Sequence, residues 1–237
     1  MTSLPASTGK KLGLVIDLDI CVGCHACAVS CKEWNTGGFS APLTDMDPYG
    51  VDPHGPWLNR VHSYEVDDGE HSRTVHFPRS CLHCEEPDCV TVCPTGASYK
   101  RAEDGIVLVN PDTCIGCKLC SWACPYGARE FDQSHGVMKK CTLCVDRIYN
   151  ENIPEIDRVP ACVQACPTNA LQFADQFDET GPVKEYFDEA NEQIETREHG
   201  GHVDEAHTRV YRLFEEVGTK PNVNYLKKVE PFPVEKA

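Results

Sequence analysis

The sequence has few positive charges, and its N-terminal apolar segment is short. It contains 22 Lys and Arg residues against 37 Asp and Glu residues, for a formal net charge of −15. Nucleic acids and anionic lipid surfaces repel a chain of this charge, so neither is an expected partner. The apolar run that starts at Leu12 is interrupted by Asp17 and Asp19. This interruption excludes the run as a membrane span or as the core of a signal peptide.

Export motifs and catalytic motifs are missing as well. No pair of adjacent arginines occurs near the N-terminus, so the expected location is the cytoplasm, where cysteines stay reduced. The chain also offers no nucleophile–base set, phosphate-binding loop or nucleotide fingerprint. We therefore expect no catalytic residues in this chain and no direct insertion into the membrane.

Cysteine, in contrast, is abundant, with 16 residues in a chain of 237. The cysteines form four motifs of four, in chain order Cys21, Cys24, Cys27 and Cys31; Cys81, Cys84, Cys89 and Cys93; Cys114, Cys117, Cys120 and Cys124; and Cys141, Cys144, Cys162 and Cys166. The third motif, CIGCKLCSWACP, follows the bacterial ferredoxin pattern C-x2-C-x2-C-x3-C-P. In that pattern three thiolates hold one cubane and the fourth reaches a different cluster. Four motifs therefore predict four [4Fe–4S] clusters.

Zinc and disulfides are the alternatives for these cysteines. Structural zinc also uses C-x2-C pairs, usually two per site, but it does not require a third cysteine two residues later. Nor does it call for the proline that follows Cys93, Cys124 and Cys166. Disulfides need an oxidising compartment, for which the sequence shows no export signal. Iron–sulfur clusters are the favoured interpretation, with a zinc-structured binding module as the alternative.

The segments between the motifs predict how the motifs pair. Residues 94–113, between the second and third motifs, contain two predicted short strands, Ala97–Lys100 and Ile106–Val109. The second and third motifs would then form a compact inner unit. The first and fourth motifs would meet from the two ends of the chain, with Leu14–Ile16 and Leu171–Phe173 as matching strands.

The predicted fold class is α+β, with two nested ferredoxin-like units that hold two [4Fe–4S] clusters each. The predicted parts are residues 12–31 with 139–174 (outer unit), 32–80 (insertion), 81–138 (inner unit) and 175–237 (C-terminal extension for subunit contacts). The insertion contains several prolines, which exclude a long helix, and Arg60–Val66 and Thr74–Phe77 are predicted to form a hairpin. In the polar extension, Pro182–Arg197 and Glu205–Val217 are predicted helices. The extension would contact a neighbouring subunit or remain solvated.

If the last cysteine of each motif crosses to the partner motif, four ligand sets follow. These are set A (Cys21, Cys24, Cys27 and Cys166), set B (Cys31, Cys141, Cys144 and Cys162), set C (Cys81, Cys84, Cys89 and Cys124) and set D (Cys93, Cys114, Cys117 and Cys120). Histidines such as His25 and His83 are not expected ligands, because sixteen thiolates complete four sites. Gly23 and Gly116 are expected to permit tight turns close to cluster sulfur. Trp122 is interpreted as a packing residue.

The motifs also resemble a known family. Together with KCTLCVDR (Lys140–Arg147), CPTGA (Cys93–Ala97) and CPYGA (Cys124–Ala128), they resemble the four-cluster iron–sulfur subunits of dimethyl-sulfoxide-reductase-type molybdoenzymes. The segment GTKPNVNYL (Gly218–Leu226) is similar to the C-terminal signature of that group. Within the family, the insertion most resembles that of the iron–sulfur subunits of membrane-bound, cytoplasmic-facing sulfite dehydrogenases.

This resemblance implies an electron-transfer subunit that performs no substrate chemistry itself. It would link a molybdopterin catalytic subunit to a multi-span, quinone-reacting membrane subunit during sulfite oxidation, attached to the cytoplasmic face of the inner membrane through that partner. The resemblance further implies that set A lies nearest the catalytic subunit and set C nearest the membrane. Reductases of dimethyl sulfoxide, polysulfide, thiosulfate or tetrathionate share these motifs and remain alternatives. A free polyferredoxin is a further alternative, which the insertion and the extension disfavour.

Overall fold

The computed structural model describes residues 3–36, 56–67, 72–181, 183–186, 188–189, 192, 210–211, 218–221 and 223–226. The helices are short: α1 (Ala26–Asn35), α2 (Asp88–Thr91), α3 (Leu119–Trp122), α4 (Val145–Ile148) and α5 (Ala161–Gln164). The strands are β1 (Leu12–Asp17), β2 (Asn59–Asp67), β3 (Ser72–Ser80), β4 (Ser98–Lys100), β5 (Val107–Val109), β6 (Glu130–Asp132), β7 (Val137–Lys139), β8 (Leu171–Asp175), β9 (Val210–Tyr211) and β10 (Val223–Leu226). This mixture of helices and strands confirms the predicted α+β class.

A four-stranded sheet, in the order β8-β1-β10-β9, joins the two ends of the described chain. Strand β1 reads LGLVID, and all six of its residues are buried, as expected for a strand covered on both faces. It pairs antiparallel with β8, with Leu14 opposite Phe173 and Ile16 opposite Leu171. The predicted pairing of these two segments is therefore confirmed. Because of this pairing, α1 of the first motif packs against α5 of the fourth motif.

Part of the C-terminal extension lies inside this sheet. Strand β10 runs parallel to β1, with Val223 opposite Leu14. The Tyr225 side chain is 1% exposed, its ring stacks on Phe77 with the centroids 4.3 Å apart, and its hydroxyl donates to the Pro78 carbonyl at 3.1 Å. The expectation that the extension contacts a neighbouring subunit or remains solvated does not hold for this segment, which belongs to the core. The segment has few apolar residues, but those in β10 form the strand that pairs with β1.

The two helices predicted in the extension have different outcomes. Residues 184–186, 188–189 and 192 are helical, in agreement with the prediction for Pro182–Arg197. The helix predicted at Glu205–Val217 is wrong at Val210–Tyr211, which form β9 and pair with Leu226 and Tyr225 of β10. Strand pairing with a distant segment outweighs the local helical periodicity here. Lys227–Lys228, which directly follow the GTKPNVNYL segment, lie outside the described residues.

Three hairpins surround the cysteine loops. Ser98 of β4 lies opposite Val109 of β5, which confirms the predicted pair of strands between the second and third motifs. The insertion forms the predicted hairpin from β2 and β3, longer than expected, whereas its residues 37–55 and 68–71 lie outside the described part. The β6–β7 hairpin was not predicted. Its Asp132 carboxylate accepts hydrogen bonds from Lys139 and His135, which outweigh the effect of burial and lower its pKa to about 2.

The hydrophobic core connects the sheet to the cysteine loops. Leu14, Ile16 and Tyr225 of the sheet belong to one buried cluster with Leu82 and Leu143, which lie between cysteines of the second and fourth motifs. Cluster-binding loops attached to such a core hold their cysteines in fixed positions. In the described part of the chain, no helix has both the length and the apolar character needed to cross a bilayer.

Candidate iron–sulfur sites

The C-x2-C pairs of all four motifs lie on loops of the same backbone conformation. The residue before the second cysteine has a positive φ angle in each: 65° at Gly23, 45° at His83, 66° at Gly116 and 54° at Leu143. Backbone of this kind turns successive N–H groups toward one side and forms a concavity that favours anions. The turn was predicted at Gly23 and Gly116, whereas the other two motifs reach it without glycine.

Glycine and non-glycine residues hold this conformation in different ways. A Cβ atom at Gly116 would lie 2.4 Å from the Gly136 carbonyl oxygen, and one at Gly23 would lie 2.4 Å from His76 Nδ1. At His83 and Leu143, a side chain that is 1% exposed packs into the core instead. Left-handed backbone costs an ordinary residue about 1–2 kcal/mol, and burial of these side chains offsets it. The Val107 N–H also donates to His83 Nδ1 at 3.2 Å.

The four cysteines of set B surround one cavity. Cys31 comes from α1, Cys162 from α5, and Cys141 and Cys144 from the loop before α4, with walls that include Leu14, Ile16 and Leu171. Burial raises the pKa of Cys31 and Cys162 well above the ordinary value and that of Cys141 to about 12. Four thiolates in one buried cavity would need a positively charged partner, and the iron of a cluster would supply that charge.

The cysteines of set D surround a second cavity, with Cys93 arriving from the second motif and three cysteines from the third. The Met138 N–H donates to Cys114 Sγ at 3.4 Å, and the Ser98 N–H donates to Cys93 Sγ at 3.4 Å. Val109, Leu119 and Met138 are among the apolar residues of the wall. Cys117 is exposed, so this site reaches the protein surface.

For sets A and C, the proximity of the four cysteines is seen in the effect of each thiolate charge on the pKa of its neighbours. Burial raises the pKa of Cys27 to about 11, and the nearby charges of Cys21, Cys166 and Cys24 act in the same direction. Cys166, which follows α5, thus lies beside the three cysteines of the first motif.

Set C shows the same pattern. Burial is the largest cause of the raised pKa of Cys84. The charge of Cys81 is the next cause that raises it, and the charges of Cys89 and Cys124 add to the increase. Cys124 belongs to the third motif and lies among three cysteines of the second. The structure therefore brings together the members of each predicted set.

Interactions between the sets define a row. The charge of Cys27 in set A contributes to the raised pKa of Cys31 in set B. In the same way, the charge of Cys81 in set C contributes to the raised pKa of Cys141 in set B, and that of Cys89 in set C to the raised pKa of Cys120 in set D. The order is A, B, C, D. Set C lies between sets B and D in these interactions, and the implied position of set C nearest the membrane stays a prediction. Set D is the opposite end of the row.

Comparisons with known proteins place the chain among iron–sulfur proteins. Residues 20–97 and residues 72–176 each match a family described as 4Fe-4S dicluster domain. Over 218 residues, which are 92% of this chain and 83% of the relative, the sequence is 55% identical to a sulfite dehydrogenase subunit from Allochromatium vinosum. The chain belongs to the dimethyl-sulfoxide-reductase-type family of iron–sulfur subunits.

Other members of this family are more distant. One of the chains of the anaerobic dimethyl sulfoxide reductase from Escherichia coli is 36% identical over 179 residues, which cover 74% of this chain and 75% of that protein. A protein from Haemophilus influenzae described as a NrfC homolog is 34% identical over 232 residues, covering 95% and 87%. The predicted family is thus confirmed, and with it the assignment of this iron–sulfur subunit to electron transfer.

Backbone hydrogen bonds stabilise the last cysteine of two motifs in this family member. Although burial raises the pKa of Cys93 and Cys166, the N–H groups that follow each of them lower it below the ordinary value. The donors are Ser98, Thr95 and Ala97 for Cys93, and Leu171, Ala170 and Thr168 for Cys166. The hydrogen bonds of the C-P-T turn therefore favour the thiolate form of both cysteines.

Several side chains around the sites were not predicted from the sequence. Asn35 donates to both Cys31 and Cys144 of set B, at 3.6 Å each, and Asn59 bonds to Cys27. Thr219, in the C-terminal signature, bonds to Cys84 and also to the Tyr126 hydroxyl. Only Asn35 carried a signal in the sequence, since it lies four residues after Cys31 on one helix.

Arg129 was not predicted either. Its side chain is buried and its Nη2 lies 2.6 Å from Cys89 Sγ of set C. It directly follows the CPYGA segment, where the cysteine pattern assigns it no role.

Proposed function

We propose that the protein carries four [4Fe–4S] clusters, one in each of sets A to D, and transfers electrons along the row within a sulfite-oxidising complex. The observation that carries the proposal is the use of all 16 cysteines in four adjacent groups of four. A bound cluster of this type takes up and releases one electron. The protein contributes the thiolates, the N–H groups around them and the burial that excludes water.

The proposed ligation crosses between motifs and forms two nested units. Residues 12–31 and 139–174 would form the outer unit with sets A and B, and residues 81–138 the inner unit with sets C and D. The pairing of β1 with β8 supports the outer unit. The hydrogen bonds of Asn35 to Cys31 and Cys144 support the crossing, because one amide contacts cysteines of both motifs.

Electrons would enter and leave at the two ends of the row. Each end carries an exposed cysteine, Cys24 in set A and Cys117 in set D. Beside Cys117, Ile115 is 66% exposed and Trp122 is 81% exposed, so Trp122 does not pack inside the loop as expected. Exposed apolar side chains at a redox site mark a surface for a protein partner. Set A would face a molybdopterin catalytic subunit, and set D would face a quinone-reacting membrane subunit.

Attachment to the membrane would depend on that second partner. The net charge of −15 disfavours contact with anionic lipids. We place the complex at the cytoplasmic face of the inner membrane, and we keep the C-terminal extension, apart from β9, β10 and residues 218–221, as the proposed region of subunit contacts. Sulfite as the electron donor rests on the relative that is 55% identical and described as a sulfite dehydrogenase subunit. The reverse direction, in a dimethyl sulfoxide reductase, is the second candidate because of the relative at 36% identity.

The test is anaerobic purification of the chain with its partners, followed by metal analysis and EPR spectroscopy. We expect about sixteen iron atoms per chain, with matching sulfide, and reduced-cluster signals on addition of sulfite. Dimethyl sulfoxide should leave those signals unchanged. Reoxidation by dimethyl sulfoxide would favour the second candidate, and stoichiometric zinc with little iron would exclude both.

A further inference from the structure

Arg129 lies between the two sets of the inner unit. Its Nη2 atom is 2.6 Å from Cys89 Sγ of set C and 2.8 Å from Ser98 Oγ. The N–H of the same Ser98 donates to Cys93 of set D at 3.4 Å. Arg129 also lines the cavity surrounded by set D. One guanidinium group thus contacts set C and the wall of set D.

The rest of this guanidinium is buried beside cysteine sulfur. Arg129 is 3% exposed, no nitrogen or oxygen acceptor lies within bonding distance of its Nε and Nη1 atoms among the described residues, and its side chain also bonds to Cys120 of set D. Buried donors are almost always paired, and an unpaired buried charge is strongly unfavourable. The charges that act most strongly on this guanidinium belong to cysteines of sets C and D, namely Cys89, Cys120, Cys81 and Cys124. Its donors therefore face the sulfur atoms of these two sites.

We propose that Arg129 sets the reduction potentials of the clusters in sets C and D by donating hydrogen bonds to their sulfur and by placing a fixed positive charge between them. This inference rests on the proposed cluster assignment. Reduction adds one electron to a cluster and breaks no bond, so a neighbouring positive charge stabilises the reduced form more than the oxidised form. Hydrogen bonds to sulfur and local net charge are the protein's main means of adjusting such potentials. Arg129 is a positioning residue and not a ligand.

The experiment is a redox titration of the full chain with all clusters, followed by EPR spectroscopy. In Arg129→Gln we expect two of the four midpoint potentials to fall by roughly 59 mV each. For a one-electron couple, this corresponds to about a tenfold decrease in the ratio of reduced to oxidised cluster at a given potential. The other two, of sets A and B, should stay unchanged. Arg129→Lys retains the charge and should restore most of the shift. Lys184→Gln removes one positive charge at a surface pair with Asp188 and should move none of the potentials.

Iron content separates this proposal from the proposed function. Arg129→Gln with full iron and four unchanged potentials would overturn the role of Arg129 while leaving the cluster assignment intact. Equal shifts of all four potentials would also overturn it, because the effect would then not be local. If only the Gln variant loses iron, the potentials of the Lys variant test the proposal. Potentials close to wild type support it, and a tenfold decrease in the ratio of reduced to oxidised cluster in sets C and D contradicts it. Loss of iron in both variants would show a role in assembly and would overturn the proposal. A wild-type chain without clusters would reject both proposals.

Discussion

The inner and outer pairs of cysteine sets share one backbone design but differ in the side chains between them. In the outer pair, the side-chain hydrogen bonds to sulfur come from neutral amides, Asn59 to Cys27 of set A and Asn35 to Cys31 of set B, while the charge of Lys140 acts on Cys141 without such a bond. Between sets C and D, the contact comes from the buried cation Arg129. The cysteine pattern therefore determines where a cluster binds. Neighbouring side chains, which the motif does not specify, determine how readily that cluster accepts an electron.

The largest expected effect concerns the exposed end of the inner pair. Cys117→Ser should lower quinone-dependent sulfite oxidation by the intact complex at least roughly a hundredfold, because loss of a ligand exceeds the effect of losing a group that only supports a ligand. Ferricyanide, which can take electrons directly from the catalytic subunit, should still support oxidation. The measurement compares the two acceptors in the same preparation.

A neighbouring variant controls for surface damage at this end. Lys118 is an exposed non-ligand beside Cys117, so Lys118→Gln should retain activity with quinone. Full quinone activity in Cys117→Ser would contradict the order of the row. Equal loss with both acceptors in an assembled complex would contradict the assignment of set D as the exit.

The second prediction tests the crossing in the outer pair. Cys31→Ser and Cys141→Ser should remove the same cluster, leaving about twelve iron atoms per chain, because both cysteines belong to set B. The same EPR signal should disappear in both variants, and the signal lost in Cys21→Ser should remain. If Cys31→Ser removes the Cys21 signal instead, each motif binds its own cluster and the nested arrangement is wrong.

The third prediction compares equivalent glycines of the two pairs. A Cβ atom at Gly116 meets the backbone oxygen of Gly136 at 2.4 Å, whereas at Gly23 it meets the side chain of His76, which can move. Gly116→Ala should therefore destabilise the cluster-loaded chain more than Gly23→Ala, measured by urea unfolding, and should lose the signal of set D.

Gly136→Ala is the matched control for this comparison. Gly136 has a φ angle of 67° with nothing within 4 Å of an added Cβ, so the substitution introduces strain of about 1–2 kcal/mol without a clash. Gly116→Ala should exceed that value. Equal destabilisation of all three variants would show that backbone conformation alone matters at these positions.

The sequence predicts the features of this molecule that depend on residues close together along the chain. The cysteine spacing leads to the four groups, and short apolar runs lead to the β1–β8 and β4–β5 pairings. Contacts between distant segments were not predictable. Strand β10 joins the sheet about two hundred residues after β1, and Thr219 reaches Cys84 from the same segment. Leu143 has a positive φ angle because the core around it compensates the strain, and no local pattern reveals that.

The smallest expected effect tests whether charge or hydrogen bonding causes the midpoint potentials of the inner and outer pairs to differ. Thr219→Val removes a hydroxyl that bonds to Cys84 of set C, and Asn35→Leu removes an amide that bonds to two cysteines of set B. A neutral hydrogen bond contributes about 0.5–1.5 kcal/mol, which corresponds to roughly two- to tenfold in the ratio of reduced to oxidised cluster. Each variant should lower one midpoint potential within that range, in redox titrations with full iron content. If the two shifts are similar and smaller than the shift in Arg129→Gln, the charge of the hydrogen-bonding cation Arg129 distinguishes the inner pair. A Thr219→Val shift as large as that of Arg129→Gln would instead assign the difference to hydrogen bonding, since this variant leaves every charge in place.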